Sequence, residues 1–356
     1  MPLSFVPLPR SPRPIISIGA GGIVRDAHLP AYRLAGFTVA GLHDRDSAKA
    51  AQLAADFGVP RVFGSLAEAV AGAPADAIFD VAVPASALGD VLPALPAGAA
   101  VLIQKPFGED LAAARALRAL CARQRLQAAV NFQLRTSPGV VAARRLIAAG
   151  AIGELHDFEV RVTVFTPWHL WTFLEGIPRV EILYHSIHYV DLARSFLGEP
   201  RGVHAHTTRH PRAPKLAGTR TVLALDYGDD VRATITTNHG HAFGPRHQES
   251  YVKWEGTRGA LKLRLGLLLD YPRGEPDALE QCILDADGRA GEWQAVPLEG
   301  SWFPHAFVGP MAALMRFANN ETSELPTRVD DAFRTMAVVE AAYASSARGA
   351  TPIPSA

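Results

Sequence analysis

The chain shows two different periods of apolar and polar residues. Within residues 14–133, short continuous apolar runs such as Ile15–Ile18 and 77–83 alternate with alanine-rich stretches such as Ser47–Phe57, whose apolar residues have a helical spacing. Continuous apolar runs are typical of strands buried on both faces, and the helical spacing is typical of amphipathic helices. Strands and helices that alternate in this way predict βαβ units and a parallel sheet.

The period changes after about residue 137, where longer segments alternate apolar and polar positions. Six of these are predicted to be strands: 155–165, 203–208, 221–227, 231–238, 250–255 and 260–268. Turn sequences at 227–230 and 256–259 join several of them, which indicates antiparallel hairpins. Helices are expected at 180–197, 303–318 and 329–347. The fold class is therefore α/β, with a parallel N-terminal sheet and an α+β C-terminal domain.

The composition excludes several kinds of partner. Apolar residues make up 48% of the chain, its formal net charge is zero, and no run of Lys or Arg occurs. Nucleic acids and anionic membranes attract basic patches, so neither is expected as a partner. No apolar stretch reaches the ~18 residues of a membrane span, and residues 1–13 do not look like a signal peptide. With two widely separated cysteines, Cys121 and Cys282, the chain is expected to be cytoplasmic.

A glycine-rich turn follows the first predicted strand. The sequence after Ile18 is Gly19, Ala20, Gly21, Gly22 and Ile23, where a helix is expected to begin. Gly19 permits the tight turn, and Gly21 lets the backbone approach a pyrophosphate at the helix N-terminus. The third position of this dinucleotide fingerprint, usually Gly or Ala, is Val24.

An acidic residue ends the second predicted strand. Asp44 follows the turn by about twenty residues, the spacing expected of a carboxylate that accepts hydrogen bonds from the ribose hydroxyls. Asp44 would repel a 2′-phosphate, which favours NAD, but Arg45 could bind that phosphate, so NADP stays an alternative. We expect an NAD(P)-binding Rossmann domain at 14–134, after a loose N-terminal tail at 1–13 and before a C-terminal domain at 135–356.

A lysine follows another predicted strand. The strand 99–103 leads into Gln104, Lys105 and Pro106. Open α/β sheets bind ligands at the carboxyl ends of their strands, and the pKa of a lysine shifts readily when the residue is buried. Lys105 is therefore a candidate functional residue, with a solvated loop charge as the alternative.

Taken in chain order, these features resemble the Gfo/Idh/MocA family, the group of glucose–fructose oxidoreductase and inositol dehydrogenase. The resemblance spans nearly the whole chain and includes the Gly19 turn, Pro84 after a strand, Gln104-Lys105-Pro106, Asn131, Arg135, the link 149–154, the segment 188–194 and the late helix at 339–343. It implies a C-terminal substrate-binding and oligomerisation domain with a large, mostly antiparallel open sheet. A homodimer or homotetramer is therefore expected.

The resemblance also implies the chemistry and its residues. The expected activity is hydride transfer between NAD(P) and a sugar, polyol or inositol-like alcohol. Lys105 would orient the reacting hydroxyl and His188 would serve as acid or base, while Pro84, Gln104 and Asn131 would border the cofactor. We therefore expect Lys105 and His188 to act on the same substrate oxygen.

Two positions depart from the family pattern. Gln104 replaces the usual Glu, and Tyr184 replaces the Asp that normally precedes the helical His by four residues. At the α-helical period, Tyr184, His188 and Asp191 share one stripe and His185 lies about a quarter-turn away. Tyr184 supplies only a phenol where a carboxylate is usual, so His185 and Tyr184 are further candidates for the proton transfer.

The loop 166–173 borders the substrate by the same resemblance. Trp168, His169 and Trp171 would suit a sugar, which offers apolar ring faces and polar edges, although a loop filled with buried aromatic residues is the alternative. Arg135 and Arg179 are weaker substrate candidates, since either could be a surface charge.

Histidines concentrate at His239, His241 and His247, and His185 and His188 are close together on a predicted helix. Imidazoles ligate metals, but no cysteine or carboxylate set completes either group, so no metal is expected.

Three functions remain open at this stage. The leading one is an NAD(P)-dependent dehydrogenase or reductase that acts on the CH–OH group of a carbohydrate-like small molecule. The second is an NAD-dependent glycosidase that works by oxidation and elimination. The third is a non-catalytic dinucleotide-sensing protein, which the changes at Gln104 and Tyr184 would allow and the presence of Lys105 and His188 opposes.

Overall fold

The computed structural model describes residues 5–271 and 273–354. They form two compact units: the first comprises the residues up to Val141 together with Glu299–Met336, and the second comprises Ala142–Leu298 and the residues from Ala337 onward. This grouping differs from the sequence-based division, which left 299–336 in the C-terminal domain. These residues return to the first unit because Val130 N donates to Thr327 O (2.8 Å) and Ala129 bridges Arg328.

The helices correspond closely to the predicted amphipathic stretches. In chain order they are α1 (Leu29–Ala35), α2 (Ser47–Phe57), α3 (Leu66–Ala71), α4 (Leu88–Val91), α5 (Leu111–Arg123), α6 (Pro138–Ala148), α7 (Ile187–Leu197), α8 (Val308–Ala318) and α9 (Val329–Arg348). Asp46 caps α2 by accepting from Lys49 N, and Asp110 caps α5 by accepting from Ala113 N. The short α3 and α4 were not predicted, because so few residues do not show a helical period.

The first unit contains the predicted parallel sheet. Its strands are β1 (Ile15–Ile18), β2 (Val39–His43), β3 (Ile78–Val81), β4 (Ala100–Ile103) and β5 (Gln127–Val130). They pair in parallel in the order β2-β1-β3-β4-β5. Since β1 lies between β2 and β3, the chain reverses its winding direction at β1, which is where open α/β sheets bind ligands. Val62 adds an isolated parallel bridge to Leu42 of β2.

The N-terminal segment corrects one expectation. Residues 1–13 were predicted to be a loose tail, and residues 1–4 lie outside the described residues. In the described part, Phe5 and Val6 are buried, and Arg13 Nε donates to Asn319 Oδ1 (2.7 Å). Arg10 N also donates to Glu321 Oε1 (3.0 Å). This segment therefore packs against the returning residues of the first unit.

The second unit is built on a large sheet. Its strands are β6 (Leu155–Thr163), β7 (Gly202–Thr208), β8 (Arg220–Asp226), β9 (Arg232–Asn238), β10 (Glu249–Gly256), β11 (Gly259–Arg264), β12 (Ala278–Ile283) and β13 (Gln294–Val296). They are ordered β13-β12-β11-β10-β6-β9-β8-β7, and every pair except β6 with β9 is antiparallel. The predicted mostly antiparallel open sheet is confirmed, although β12 and β13 were not predicted.

The two faces of this sheet differ in chemistry. Phe158, Trp254 and Leu261 are fully buried on one face. The other face has ion pairs, including Arg161 with Glu249 at 2.5 Å and Lys253 with Glu255 at 2.8 Å. On β11 the outward side chains include the exposed Lys262 and Arg264, so this strand is polar on the same face.

The edge strand β7 is protected by helix α9. Ser345 Oγ accepts a hydrogen bond from Ala205 N, and Ser346 Oγ accepts one from Thr207 N, both at 3.0 Å. These serines satisfy backbone groups that an edge strand would otherwise expose. Among the residues that the structure describes, no helix is long and apolar enough to cross a membrane.

Candidate functional site

The predicted cofactor residues meet at one edge of the first sheet. Each follows the carboxyl end of a strand: Gly19 after β1, Asp44 after β2, Pro84 beyond β3, Gln104 and Lys105 after β4, and Asn131 after β5. Parallel strands end at a common edge, so the structure brings together residues that are far apart in the sequence.

The glycine turn after β1 has no room for a side chain at its first position. Gly19 has φ +114°, and a Cβ there would lie 2.4 Å from Ala82 O. A Cβ on Gly21 would meet nothing within 4 Å, so the space in front of this residue is open. The helical segment that follows contains a π-helical turn at Val24–His28, and Val24 N and Arg25 N donate to Gly21 O at 3.0 and 3.2 Å. The cradle fits a dinucleotide pyrophosphate.

Asp44 is held in place by the backbone. Its Oδ2 accepts from Ala20 N at 2.7 Å, and its Oδ1 accepts from Asp46 N at 2.8 Å. Each carboxylate oxygen has a further lone pair, so Asp44 can still accept hydrogen bonds from ribose hydroxyls. The bond to Ala20 also fixes the carboxylate beside the glycine turn. Arg45 is exposed and forms an ion pair with Asp90 at 3.7 Å.

Lys105 is the positively charged group of this edge. Gln104 is buried and its Oε1 accepts from Lys105 N at 3.0 Å, so the amide that replaces the usual Glu supports the lysine backbone. Burial lowers the pKa of Lys105 from 10.5 to about 8. A lysine with this pKa can provide positive charge near neutral pH and can also exchange a proton.

A buried polar cluster lies behind Asn131. Asp80 Oδ2 lies 2.8 Å from His28 Nδ1 and accepts from Tyr32 OH at 2.9 Å, and Asn131 Nδ2 lies 3.3 Å from His28 Nε2. His28 and Asp80 are fully buried. This cluster was not predicted, although Asp80 is the one charged residue in the apolar run 77–83 and could have indicated it. The cluster orients Asn131 from behind.

The side chain of Arg135 is held in an ion pair with another residue of the first unit. Its Nη2 donates to Asp331 Oδ2 at 2.7 Å, and its Nη1 donates to Pro326 O at 3.3 Å. The side chains of Arg135 and Asp331 are 12% and 21% exposed. These contacts bind the 133–136 turn to the start of α9 and argue against the predicted substrate role.

The histidines of the second unit lie where a π-helical turn meets an α-helix. Residues Ile182–Ser186 are π-helical and α7 begins at Ile187, so the assumption of a regular α-helical period through Tyr184 and His185 was wrong. Tyr184 and His185 are half-buried, whereas His188 is 8% exposed. The Tyr184 ring packs 5.9 Å from that of Phe173.

Trp168 joins two imidazoles in one aromatic group. Its ring lies edge-on to His185 at 5.0 Å and to His239 at 5.5 Å between centroids, and the two histidine rings are 4.6 Å apart. Trp171 is half-buried and packs 6.3 Å from Tyr271, whereas His169 is exposed. The predicted loop thus places two tryptophans, but not His169, in packed positions.

A buried carboxylate that we did not predict completes this group. Glu181 is 1% exposed, its Oε1 accepts from Ser186 Oγ at 2.7 Å, and it lies 3.4 Å from His239 Nε2. Burial raises the pKa of Glu181, but hydrogen bonding to His239 and the charge of that ring outweigh burial, so the pKa is lowered overall. Glu181 precedes His185 by four residues, a spacing that could have identified it.

Two further candidates have roles other than those expected. Arg179 forms a bidentate ion pair with Glu340, at 2.7 and 2.8 Å, which argues against an open substrate arginine. His241 does not share the surroundings of His239, because its ring packs 5.5 Å from Phe243 and its Nε2 lies 3.2 Å from Arg246 O. Within 5–271 and 273–354, no group of three or more His, Cys, Asp or Glu is placed to hold a metal ion.

The fold and the edge site together define a dinucleotide-dependent oxidoreductase. Residues 15–132 match the oxidoreductase family described by its NAD-binding Rossmann fold, and residues 140–262 match the GFO/IDH/MocA C-terminal domain. The chain therefore belongs to the Gfo/Idh/MocA family, and it is an NAD-binding oxidoreductase.

Similar proteins include two curated dehydrogenases. The D-apiose dehydrogenase of Rhizobium rhizogenes is 26% identical over 327 residues, which cover 89% of this chain and 90% of that protein. The D-apiose dehydrogenase of Paraburkholderia graminis is 26% identical over 346 residues, which cover 94% of this chain and 88% of that protein.

Solved structures share the fold. An oxidoreductase from Agrobacterium radiobacter, in complex with NAD+, L-tartaric acid and magnesium, has a TM-score of 0.76 at 22% identity and covers 96% of this chain and 98% of its own. The UDP-N-acetylglucosamine 3-dehydrogenase of Acidithiobacillus ferrooxidans has a TM-score of 0.71 at 20% identity, with 94% and 98% covered.

Proposed function

We propose that the protein is an NAD-dependent dehydrogenase that oxidises a CH–OH group of a sugar, polyol or inositol-like alcohol. The observation that supports this most is Lys105, a half-buried lysine with a lowered pKa, at the strand edge that also holds the glycine turn and Asp44. The names of the two curated relatives make D-apiose the first substrate to test.

The roles of the protein groups follow from the reaction. Bound NAD+ supplies the hydride acceptor. Asp44 binds the ribose and the Gly19 turn binds the pyrophosphate, which together fix the cofactor. Lys105 donates to the substrate oxygen and stabilises the negative charge that develops there. An imidazole of the pair His185 and His188 accepts the hydroxyl proton, a role that histidine side chains commonly take in catalysis.

The cofactor preference is part of the proposal. Asp44 places a negative charge where NADP would bring its 2′-phosphate, so NAD should bind more tightly than NADP. Titration of both cofactors tests this, and Asp44→Ala should weaken NAD binding by about 1–3 kcal/mol. A clear preference for NADP would mean that Arg45 dominates the site.

The activity test is a screen for NADH formation. D-apiose, other sugars, polyols and inositols are offered with NAD+, to the native chain, to Lys105→Met and to the matched control Lys49→Met. Lys49 is a surface lysine whose nearest carboxylate oxygen is 3.8 Å away on Asp46. We expect at least one alcohol to yield NADH, with loss only in Lys105→Met. Release of a leaving group without net NADH would contradict the proposal and favour oxidation with elimination.

A further inference from the structure

The chain lacks the aspartate that usually precedes the family's helical histidine, yet it holds a carboxylate nearby. Tyr184 occupies the usual position. Glu181 lies one residue before the π-helical turn and is buried in the same unit as His185 and His239. A buried carboxylate is costly unless it is paired, so its presence requires an explanation.

Glu181 is connected to His185 through the ring of His239. Glu181 Oε1 is 3.4 Å from His239 Nε2, and the centroid of that ring is 4.6 Å from the centroid of His185. Thr166 Oγ1 is 2.8 Å from His239 Nδ1, so both nitrogens of His239 face polar groups. An ionised carboxylate only accepts hydrogen bonds, so a proton on Nε2 of His239 faces Glu181, while Nδ1 lies within hydrogen-bond distance of the Thr166 hydroxyl.

Exposure separates His185 from the other imidazoles of this region. His239 is 1% exposed and His188 is 8% exposed, whereas His185 is half-buried. Trp168 packs edge-on against both His185 and His239 and limits how the two rings can move. His185 is thus the imidazole that is both supported from within and accessible from outside.

We propose that His185 accepts the substrate proton, and that Glu181 and His239 are positioning residues that supply the anionic support missing at Tyr184. This inference rests on the proposed function, because it assigns the proton transfer of that reaction. The O–H bond of the substrate breaks and its proton passes to His185, while the hydride leaves carbon for NAD+. The negative charge of Glu181, conveyed through His239, favours the imidazolium form of His185.

Two phenols and an arginine near Glu181 and His239 do not supply the negative charge that supports His185. Tyr189 is buried and Tyr343 is half-buried. Desolvation first and the Glu181 charge second raise the pKa of each phenol, so both stay neutral. Arg179 lies over the Tyr343 ring at 5.0 Å, but its charge is balanced by Glu340.

The direct test is a titration of the histidine side chains by NMR in the full-length chain. The His185 signal is assigned by its loss in His185→Gln. Removal of the anion in Glu181→Gln should lower the titration midpoint of His185 by about 1 pH unit. Glu159→Gln is the matched control, since Glu159 is a half-buried carboxylate on β6 of the same unit. An unchanged His185 midpoint in Glu181→Gln would overturn the inference, whether or not a substrate is known.

Kinetics then separates this inference from the proposed function. With a reactive alcohol, Glu181→Gln should slow single-turnover hydride transfer about tenfold or more and leave NAD affinity unchanged, and the low-pH limb of the rate should move to lower pH. If His185→Gln stays within about threefold of the native rate and His188→Gln abolishes transfer, the proton acceptor is His188 and the inference fails. If no alcohol reacts while the NMR shift occurs, the dehydrogenase proposal fails and the positioning of His185 stands.

A second variant tests the inference in case Glu181→Gln does not fold. Glu181→Gln could leave His239 without its partner in the interior. The double variant Glu181→Met with His239→Phe replaces the buried pair by apolar groups of similar size, a change that proteins often tolerate. It should show the same lowered His185 midpoint, and a native midpoint in this folded variant would overturn the inference.

Discussion

At the scale of single residues, two glycines of the dinucleotide turn are needed for different reasons. Gly19 is required by the fold, because its φ is +114° and a Cβ would lie 2.4 Å from Ala82 O. Gly21 is not required by the fold, because a Cβ there would meet nothing within 4 Å. Its value lies in the open space that a bound pyrophosphate would fill.

This difference gives a paired prediction. Gly19→Ala should lower both stability and NAD affinity, because the new Cβ forces the turn away from Ala82. Gly21→Ala should fold with native stability and lose NAD affinity by at least about tenfold. Thermal unfolding without cofactor and a cofactor titration measure the two effects. Equal destabilisation by both substitutions would contradict the assignment.

Lys105 links function to stability. Its pKa is about 8 in the folded chain and 10.5 in the unfolded reference, so the unfolded state binds more protons between these values and native stability rises with pH across that window. Lys105→Met removes a charge that burial disfavours and should raise stability at pH 7 by about 1–3 kcal/mol. The gain should shrink as pH rises from about 8 towards 10.5. Denaturant unfolding at several pH values measures it, and a constant or negative difference would contradict the lowered pKa.

At the scale of elements, two helical segments that carry site residues contain a π-helical turn near their start, at Val24–His28 and at Ile182–Ser186. The i→i+5 turn changes which side chains share a face. The prediction that Tyr184 and His188 share one stripe assumed a regular α-helical period, so it does not apply across this turn. Such turns often occur at functional sites.

The strands and long helices could be predicted because they depend on local pattern. The run Ile15–Ile18 and the capped, amphipathic Ser47–Phe57 were predicted with their observed bounds. The return of 299–336 to the first unit could not be predicted, because it depends on contacts between distant residues such as Val130 and Thr327. The same reason explains why Glu181 was missed, since its partner His239 is distant in sequence and the pair forms only when the sheet is complete.

The cluster behind Asn131 gives a prediction at this scale. Asp80→Ala on β3 leaves His28 and Tyr32, both on the first helical segment, without their buried acceptor. We expect a loss of about 3–5 kcal/mol in the free energy of unfolding. The exposed Asp76→Ala should stay within about 0.5 kcal/mol of the native chain. Urea unfolding compares the two, and similar small losses would show that Asp80 is not part of the core.

At the scale of the whole molecule, the open face of the large sheet is charged and its ions are paired within the chain. Arg161 with Glu249 and Lys253 with Glu255 are examples. That the chain forms a homodimer or homotetramer stays a prediction. If subunits meet on this face of the sheet, we expect the interface to be polar. Light scattering at micromolar concentration should give a mass above that of one chain, and a monomer would contradict it.

The central claim is that hydride moves from a substrate carbon to bound NAD+. The most direct measurement uses the reactive alcohol with deuterium at its CH–OH carbon, followed by mass spectrometry of the recovered cofactor. We predict deuterium in the reduced cofactor for the native chain and for Lys49→Met, and little or none for Lys105→Met. Recovery of product with the deuterium still on the sugar, or equal labelling with Lys105→Met, would contradict the account.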